Sequence, residues 1–201
     1  GDGTLVLTRS NSAISGTTTI VAGTLQLGTS SNSQPGSVAG AISGGGTLEL
    51  YAGSSIGFTN NITGLQGAFN IRTGSVTMSG NTNANLSTTT SFYSTGILTV
   101  SGSSTYGGGL NIVNGTLAVG LNGNVGQSGS LVSVQPNATL MVSNPFNVRG
   151  NLTLAGGSRN VFQNATGVVN VAGALSLGGS ILNAGALSGS GVYVLYNYTN
   201  G

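Results

Sequence analysis

Few side chains in this 201-residue sequence could carry out acid–base, nucleophilic or metal chemistry. The chain contains no His and no Cys. The segment Gly53-Ser54-Ser55-Ile56-Gly57 fits the Gly-x-Ser-x-Gly pattern that presents a nucleophilic serine on a sharp turn. Because the chain has neither His nor Lys, Ser55 lacks a general base to accept its proton. We therefore attribute this match to the Gly- and Ser-rich composition.

The two carboxylates are the remaining candidates for catalysis, as the acid and base of a glycoside hydrolase. Asp2 lies at the terminus, and Glu49 alternates with Leu48 and Leu50, which predicts that its side chain points to solvent. Zinc and other transition metals would lack their usual His and Cys ligands. The sequence thus predicts no enzyme, no cofactor and no metal site.

The charge inventory also limits the partners. Charged residues make up 3% of the chain, against about 25% in ordinary domains. Its four basic residues are mostly far apart in sequence: Arg9, Arg72, Arg149 and Arg159. Nucleic-acid-binding proteins cluster such residues on one face, so we expect no nucleic-acid partner. No apolar run approaches the roughly 18 residues of a membrane-spanning helix, so we expect no span.

A short phrase recurs along the chain: a small residue followed by a strand of the form x-Leu-x-Leu or a close variant. The phrases begin at Gly3, Gly23, Gly46, Gly74, Gly96, Gly115, Ala138, Gly150 and Gly173. Six of the eight intervals between them are nearly equal, whereas the interval from Gly46 is longer and the interval from Ala138 is shorter. A period of roughly 22 residues indicates a repeat architecture.

A second alternating strand precedes several of these phrases, as in Phe69-Asn70-Ile71 and Leu110-Asn111-Ile112. Alternation places apolar side chains on one face and polar ones on the other. Such short strands bury their apolar face only when successive units stack. We therefore predict an all-β fold, a right-handed parallel β-helix (β-solenoid) with about nine coils of roughly 22 residues. We expect one domain over residues 1–201.

The repeats resemble the autotransporter-associated β-strand repeat, also called the passenger-associated transport repeat. The segment Thr17–Gly28 matches its strand, small-residue corner and Gly-Thr-Leu-x-Leu-Gly almost completely, and Leu110–Gly120 nearly as well. The resemblance implies a β-helical passenger that a bacterium exports and displays or releases at its surface, generally without catalytic activity. The expected location is extracellular or at the bacterial cell surface, as a processed product or a fragment of a longer passenger.

The two ends of the predicted β-helix are candidate sites of assembly between copies of the chain. The first strand begins almost at once, and the chain closes with an apolar, Tyr-rich strand over residues 191–198. Unpaired strand edges can template association. We expect these ends to pair head-to-tail, directly or through an exchanged strand, into a fibre. The candidate assembly residues are Leu5, Leu7, Tyr193, Leu195, Tyr196 and Tyr198.

Alternatives to the fibre remain open at this stage. The chain could be a slice of a longer passenger whose neighbouring coils cover its ends, or a self-contained monomer. A third hypothesis is that the chain is an adhesin, which binds surface glycans through its lateral face or through the polar stretch from Asn81 to Thr95. The ordinary repeat spacing across that stretch favours a polar flank of a normal coil over a protruding loop.

Overall fold

The chain folds into a parallel β-solenoid in the computed structural model. The structure describes residues 1–11, 14–31, 36–79, 89–101, 103–104, 108–121, 123–185, 187 and 192–199. Within these ranges the regular structure is entirely β, and each strand pairs in parallel with its neighbours. In this described part, no helix is long and apolar enough to cross a membrane.

The strands of the described part are short, with two to four residues each. In chain order they are β1 (Thr4–Leu7), β2 (Ser10–Asn11), β3 (Thr18–Thr19), β4 (Thr24–Leu27), β5 (Ser37–Val38), β6 (Ile42–Gly44), β7 (Thr47–Leu50), β8 (Ile56–Phe58), β9 (Ile62–Leu65), β10 (Phe69–Ile71), β11 (Val76–Met78), β12 (Thr90–Phe92), β13 (Ile97–Val100), β14 (Ser103–Ser104), β15 (Leu110–Ile112), β16 (Thr116–Val119), β17 (Asn124–Val125), β18 (Leu131–Val134), β19 (Thr139–Val142), β20 (Phe146–Val148), β21 (Asn151–Leu154), β22 (Arg159–Phe162), β23 (Val169–Val171), β24 (Leu175–Leu177), β25 (Ile181–Asn183) and β26 (Tyr196–Tyr198).

Three long sheets run along the rod. Sheet 1 has nine strands in the order β1-β4-β7-β10-β12-β15-β18-β21-β24. Sheet 2 has seven strands, β8-β11-β13-β16-β19-β22-β25, and sheet 3 has five, β14-β17-β20-β23-β26. Near the N-terminus, a two-stranded sheet (β2-β5) and a three-stranded sheet (β3-β6-β9) complete the turns.

The regular turns are fewer than expected. Strands of both sheet 1 and sheet 2 are present in about seven turns, from β7–β8 to β24–β25, whereas the sequence predicted nine coils. At the N-terminal end, β1 and β4 of sheet 1 are followed instead by the short β2-β5 sheet. Paired residues on adjacent strands of sheet 1 lie about one repeat apart in sequence, as in Leu5↔Leu25 and Leu25↔Leu48. The predicted length of the repeat is therefore close to the observed one.

The two irregular intervals of the sequence phrase mark a change of sheet. The phrases at Gly3, Gly23 and Gly46 lead into β1, β4 and β7 of sheet 1. From Gly74 the phrase leads into β11 and then successive strands of sheet 2, and at Gly150 it returns to sheet 1 at β21. In both sheets, alternate apolar side chains face the interior, so the same phrase can precede a strand of sheet 1 or a strand of sheet 2. The long interval and the short one therefore require neither an insertion nor a deletion.

The core is a set of stacked rows of inward-facing side chains. One row of sheet 1 consists of Leu25, Leu48, Phe69, Thr90, Leu110, Val132 and Leu152, all buried. Four phenylalanines are among its largest buried side chains: Phe69, Phe92, Phe146 and Phe162. Each turn covers the apolar row of the turn before it, which is how a solenoid builds a continuous core from short strands.

Glycine is required at the corner between β10 and β11, where successive turns approach each other. Gly74 has a φ of +79°, in the left-handed region that side chains disfavour. A Cβ on Gly74 would lie 2.7 Å from the carbonyl oxygen of Ser54. A side chain at this corner, between β10 of sheet 1 and β11 of sheet 2, would therefore clash with the turn before it.

Candidate functional site

The N-terminal end of the rod exposes part of its interior. Leu5 on β1 pairs with Leu25 and faces inward like it, yet Leu5 is 62% exposed because β1 is the edge strand of sheet 1. Leu7 is half-buried and packs against the core. A cleft of about 470 Å³ opens beside Leu5, with Ile20 and Leu25 also in its lining. Two of the predicted assembly residues thus lie at an open edge.

Three strands, rather than the chain terminus alone, form the C-terminal end. Sheets 1, 2 and 3 end in β24, β25 and β26 respectively. The expected strand over residues 191–198 is shorter in the structure, which has β26 only from Tyr196 to Tyr198. The neighbouring strand β23 offers just three residues for pairing, so Val192–Leu195 is irregular. Residue 191 lies outside the described residues.

Tyr196 anchors the last turn to the body of the rod. Its ring packs edge-on against Phe162 with centroids 5.7 Å apart, and its hydroxyl donates a hydrogen bond of 3.0 Å to Asn160 Oδ1. Burial raises the pKa of Tyr196 well above its ordinary value, because the charged tyrosinate would lose its hydration. Among the six predicted residues, Tyr196 thus contributes both an aromatic contact and a side-chain hydrogen bond to the fold.

The other predicted residues at this end differ in exposure. Tyr198 is exposed although its strand position matches that of the buried Val171. Tyr193 and Leu195 are half-buried, and Leu195 packs against the core. The structure therefore leaves Leu5 and Tyr198 as the most accessible members of the predicted set.

Sequence reasoning missed the apolar residues that end sheets 1 and 2. Leu177 faces inward like its buried partner Leu154, and Leu182 faces inward like its buried partner Asn160. Leu177 and Leu182 are nevertheless each about half exposed. Ile181 beside them is also exposed. Leu175-Ser176-Leu177 is visible as the last repeat phrase. The signal was therefore present in the sequence, but the prediction named residues at the end of the chain and none in the last strand of sheets 1 and 2.

The prediction for Glu49 can be compared with the structure directly. Glu49 lies between buried Leu48 and Leu50 and points away from the core, as predicted, although only 15% of its side chain is exposed to solvent. Arg72, one turn further along, donates from Nη2 to Glu49 Oε1 over 2.7 Å and from Nε over 3.1 Å. These hydrogen bonds raise the pKa of Arg72, whose guanidinium also lies 4.6 Å from the centre of the Tyr93 ring. This cluster fastens neighbouring turns together.

A row of asparagines runs along the outer face of sheet 3. Asn147 Nδ2 donates to Asn124 Oδ1, Asn170 Nδ2 to Asn147 Oδ1, and Asn197 Nδ2 to Asn170 Oδ1, each over 3.0 Å. We call these four residues the asparagine ladder. With Arg149, Ala172 and others they line a cleft of about 510 Å³ on the side of the rod. The sequence contained the signal, since Asn147 and Asn170 hold the same position in consecutive repeats.

The polar stretch from Asn81 to Thr95 is described only in part, since residues 80–88 lie outside the described residues. From Thr89 onward the chain follows an ordinary turn, and β12 takes its place in sheet 1 between β10 and β15. Thr90 and Phe92 of this strand are buried in the core. The described part of the stretch thus contributes to the stack.

Comparison with known proteins places two segments of the chain in a repeat family. No curated protein and no solved structure matches the chain. A family model, the passenger-associated-transport-repeat, matches residues 1–27 and 94–119. The first match leads from β1 to β4 within sheet 1, and the second from β13 to β16 within sheet 2, so each spans one full turn. The resemblance inferred from the sequence is thereby confirmed, and the chain carries the passenger-associated transport repeat at these two places.

Proposed function

We propose that this chain is a non-enzymatic structural rod, exported to the cell surface or beyond, that stacks head-to-tail with copies of itself into a fibre. The match to a repeat associated with transported passengers supports export and display. The composition supports a structural role, since the chain has no His or Cys and only two acidic residues. In this proposal the whole chain forms one solenoid domain of right-handed turns, the hand that parallel crossover connections almost always take.

One observation carries the proposal: inward-facing positions that are buried throughout the rod become exposed in the turns at both ends. Leu5 at one end and Leu177 and Leu182 at the other have inward-facing partners that are fully or almost fully buried. The outer edges of β1 and β24 have no neighbouring strand among the described residues. Open strand edges with apolar rows favour pairing with another strand.

The two ends are complementary in the order of their strands. A turn begins β1-β2-β3 at the N-terminal end, and β24-β25-β26 closes the rod at the other. If the register of sheet 1 continues across the junction, Leu175 lies beside Leu5 and Leu177 beside Leu7. Each junction then resembles an ordinary step of the solenoid. A heterologous contact of this kind propagates without closing, which produces a fibre.

Electron microscopy over a range of concentrations tests the proposal. The wild-type chain should form long fibres about one solenoid wide. Leu5→Lys should abolish them, because a lysine at the junction would bury its charge without a partner. Leu121→Lys is the matched control, since Leu121 is 64% exposed, close to the 62% of Leu5, but lies in the middle of the rod.

Two results would contradict stacking. Single short rods of wild type at every concentration would leave the ends to be covered by adjoining coils of a longer passenger. Equal loss of fibres in Leu5→Lys and Leu121→Lys would show that the N-terminal edge has no special part in assembly. Circular dichroism of both variants checks that the β-structure is retained.

A further inference from the structure

The lateral cleft on sheet 3 has the chemistry of a binding site for a hydroxyl-rich chain. In the asparagine ladder each amide nitrogen from Asn147 to Asn197 gives one hydrogen to the oxygen of the preceding turn. Each nitrogen carries a second N–H, and each oxygen a second lone pair. Among the described residues no further partner takes them up. The ladder thus offers donors and acceptors side by side, repeated at the strand spacing of ~4.8 Å.

Arg149 adds one unpaired positive charge to this row. It lies two residues after Asn147, so strand alternation directs it to the same outer face. Its side chain is exposed and contacts the same cleft. Within the described ranges, no hydrogen bond or ion pair engages the Arg149 guanidinium, whereas Arg72 is bound to Glu49. An unpaired guanidinium fits a carboxylate with two parallel hydrogen bonds.

Three further exposed residues line the cleft beside the amides and Arg149: Ala172, Tyr198 and Thr199. Such a surface accepts the C–H faces of a ring, while the amides meet its hydroxyl groups, which also both donate and accept. A nucleic acid would need several basic residues along its backbone, and the cleft contains one.

We propose that this cleft binds a segment of acidic polysaccharide, with a uronate carboxylate on Arg149 and sugar hydroxyls on the asparagine ladder. The cleft lies on the outer face of sheet 3 and reaches β26, the last strand of that sheet, with all of its lining residues in one chain. Single rods should therefore bind one segment per chain.

Calorimetric titration with a hyaluronan hexasaccharide tests the proposal, with the methyl-esterified hexasaccharide as a neutral probe of the same backbone. The acid should bind saturably and the ester at least about tenfold more weakly, since a hydrogen bond to a charged group is worth more than one tenfold step. Arg149→Gln should weaken binding of the acid by a similar factor and leave binding of the ester unchanged. Arg159→Gln is the matched control, because Arg159 is also exposed but lies on sheet 2.

A second variant tests the ladder independently of charge. Asn147→Ala removes an amide from the middle of the ladder and should weaken the binding of both probes. Circular dichroism checks that the variant keeps its fold. Three outcomes overturn the proposal: no saturable binding of the acid, equal binding of acid and ester, or equal effects of Arg149→Gln and Arg159→Gln. Running the titrations in the Leu5→Lys chain as well separates failure of this site from failure of stacking.

Discussion

Leu154 and Leu177 occupy the same inward-facing position of sheet 1, one turn apart, and differ only in what lies beyond them. Leu154 is fully buried, with 0% exposure, because β24 covers it. Leu177 is 49% exposed, because no described strand follows β24 in the sheet. In a solenoid, burial of a side chain therefore depends on the next turn more than on its own. Within the described residues, a strand in the middle of a sheet is covered on both sides, whereas β1 and β24 are each covered on one.

The largest difference in stability should appear when these two leucines are truncated one at a time. Leu154→Ala should lower the free energy of unfolding by about 2–5 kcal/mol, because it leaves a cavity between turns. Leu177→Ala should cost under about 1 kcal/mol, since its side chain is already half in water. Urea unfolding followed by circular dichroism measures both, in the Leu5→Lys chain so that the ends stay free. Similar losses for the two variants would show that the last turn is covered in solution.

A smaller effect should appear at Tyr196, the residue that ties the last turn to the rod. Tyr196→Phe removes the hydrogen bond to Asn160 and should cost about 1 kcal/mol near neutral pH. The pKa of Tyr196 is raised in the folded state, so its contribution is complete below the unfolded pKa of about 10 and decreases as the pH rises above it.

The urea midpoint of the wild type should therefore decrease above pH ~10, and Tyr196→Phe should reduce that decrease. Tyr198→Phe, on the same strand but exposed, is the control and should leave the midpoint near neutral pH unchanged. A Tyr196→Phe chain with the wild-type midpoint and pH profile would contradict the anchoring role of the hydroxyl.

Much of the fold was predictable because each strand repeats the same physical requirement. Alternation of Leu48, Glu49 and Leu50 shows which side chains face inward, and glycine marks the corners. The pattern does not show which sheet a strand joins, because the inward-facing positions of sheets 1 and 2 both require apolar residues. The phrases at Gly46 and Gly74 therefore look alike in sequence, although β7 and β11 lie in different sheets.

The surfaces were less predictable, for a related reason. Contacts between turns join residues that lie about one repeat apart, and only the register of each sheet identifies them. Asn124, Asn147 and Asn170 follow one another at equal intervals, whereas the interval to Asn197 is longer, so the last rung of the ladder falls outside the period. The pairing of Arg72 with Glu49 likewise depends on the step from β7 to β10.

The most direct test of head-to-tail stacking is to mix two chains that are each blocked at a different end. Leu5→Lys blocks the N-terminal edge, and Leu182→Lys blocks the C-terminal edge, where Leu182 is 53% exposed. Leu131→Lys, at 45% exposure in the middle of the rod, is the control for the second variant and should still form fibres.

Sedimentation velocity should find each blocked chain single on its own and a 1:1 dimer in the mixture, because one free edge of each kind remains. Dimers of either blocked chain alone, or a mixture that stays single while the wild type forms fibres, would contradict pairing of the N-terminal edge with the C-terminal edge.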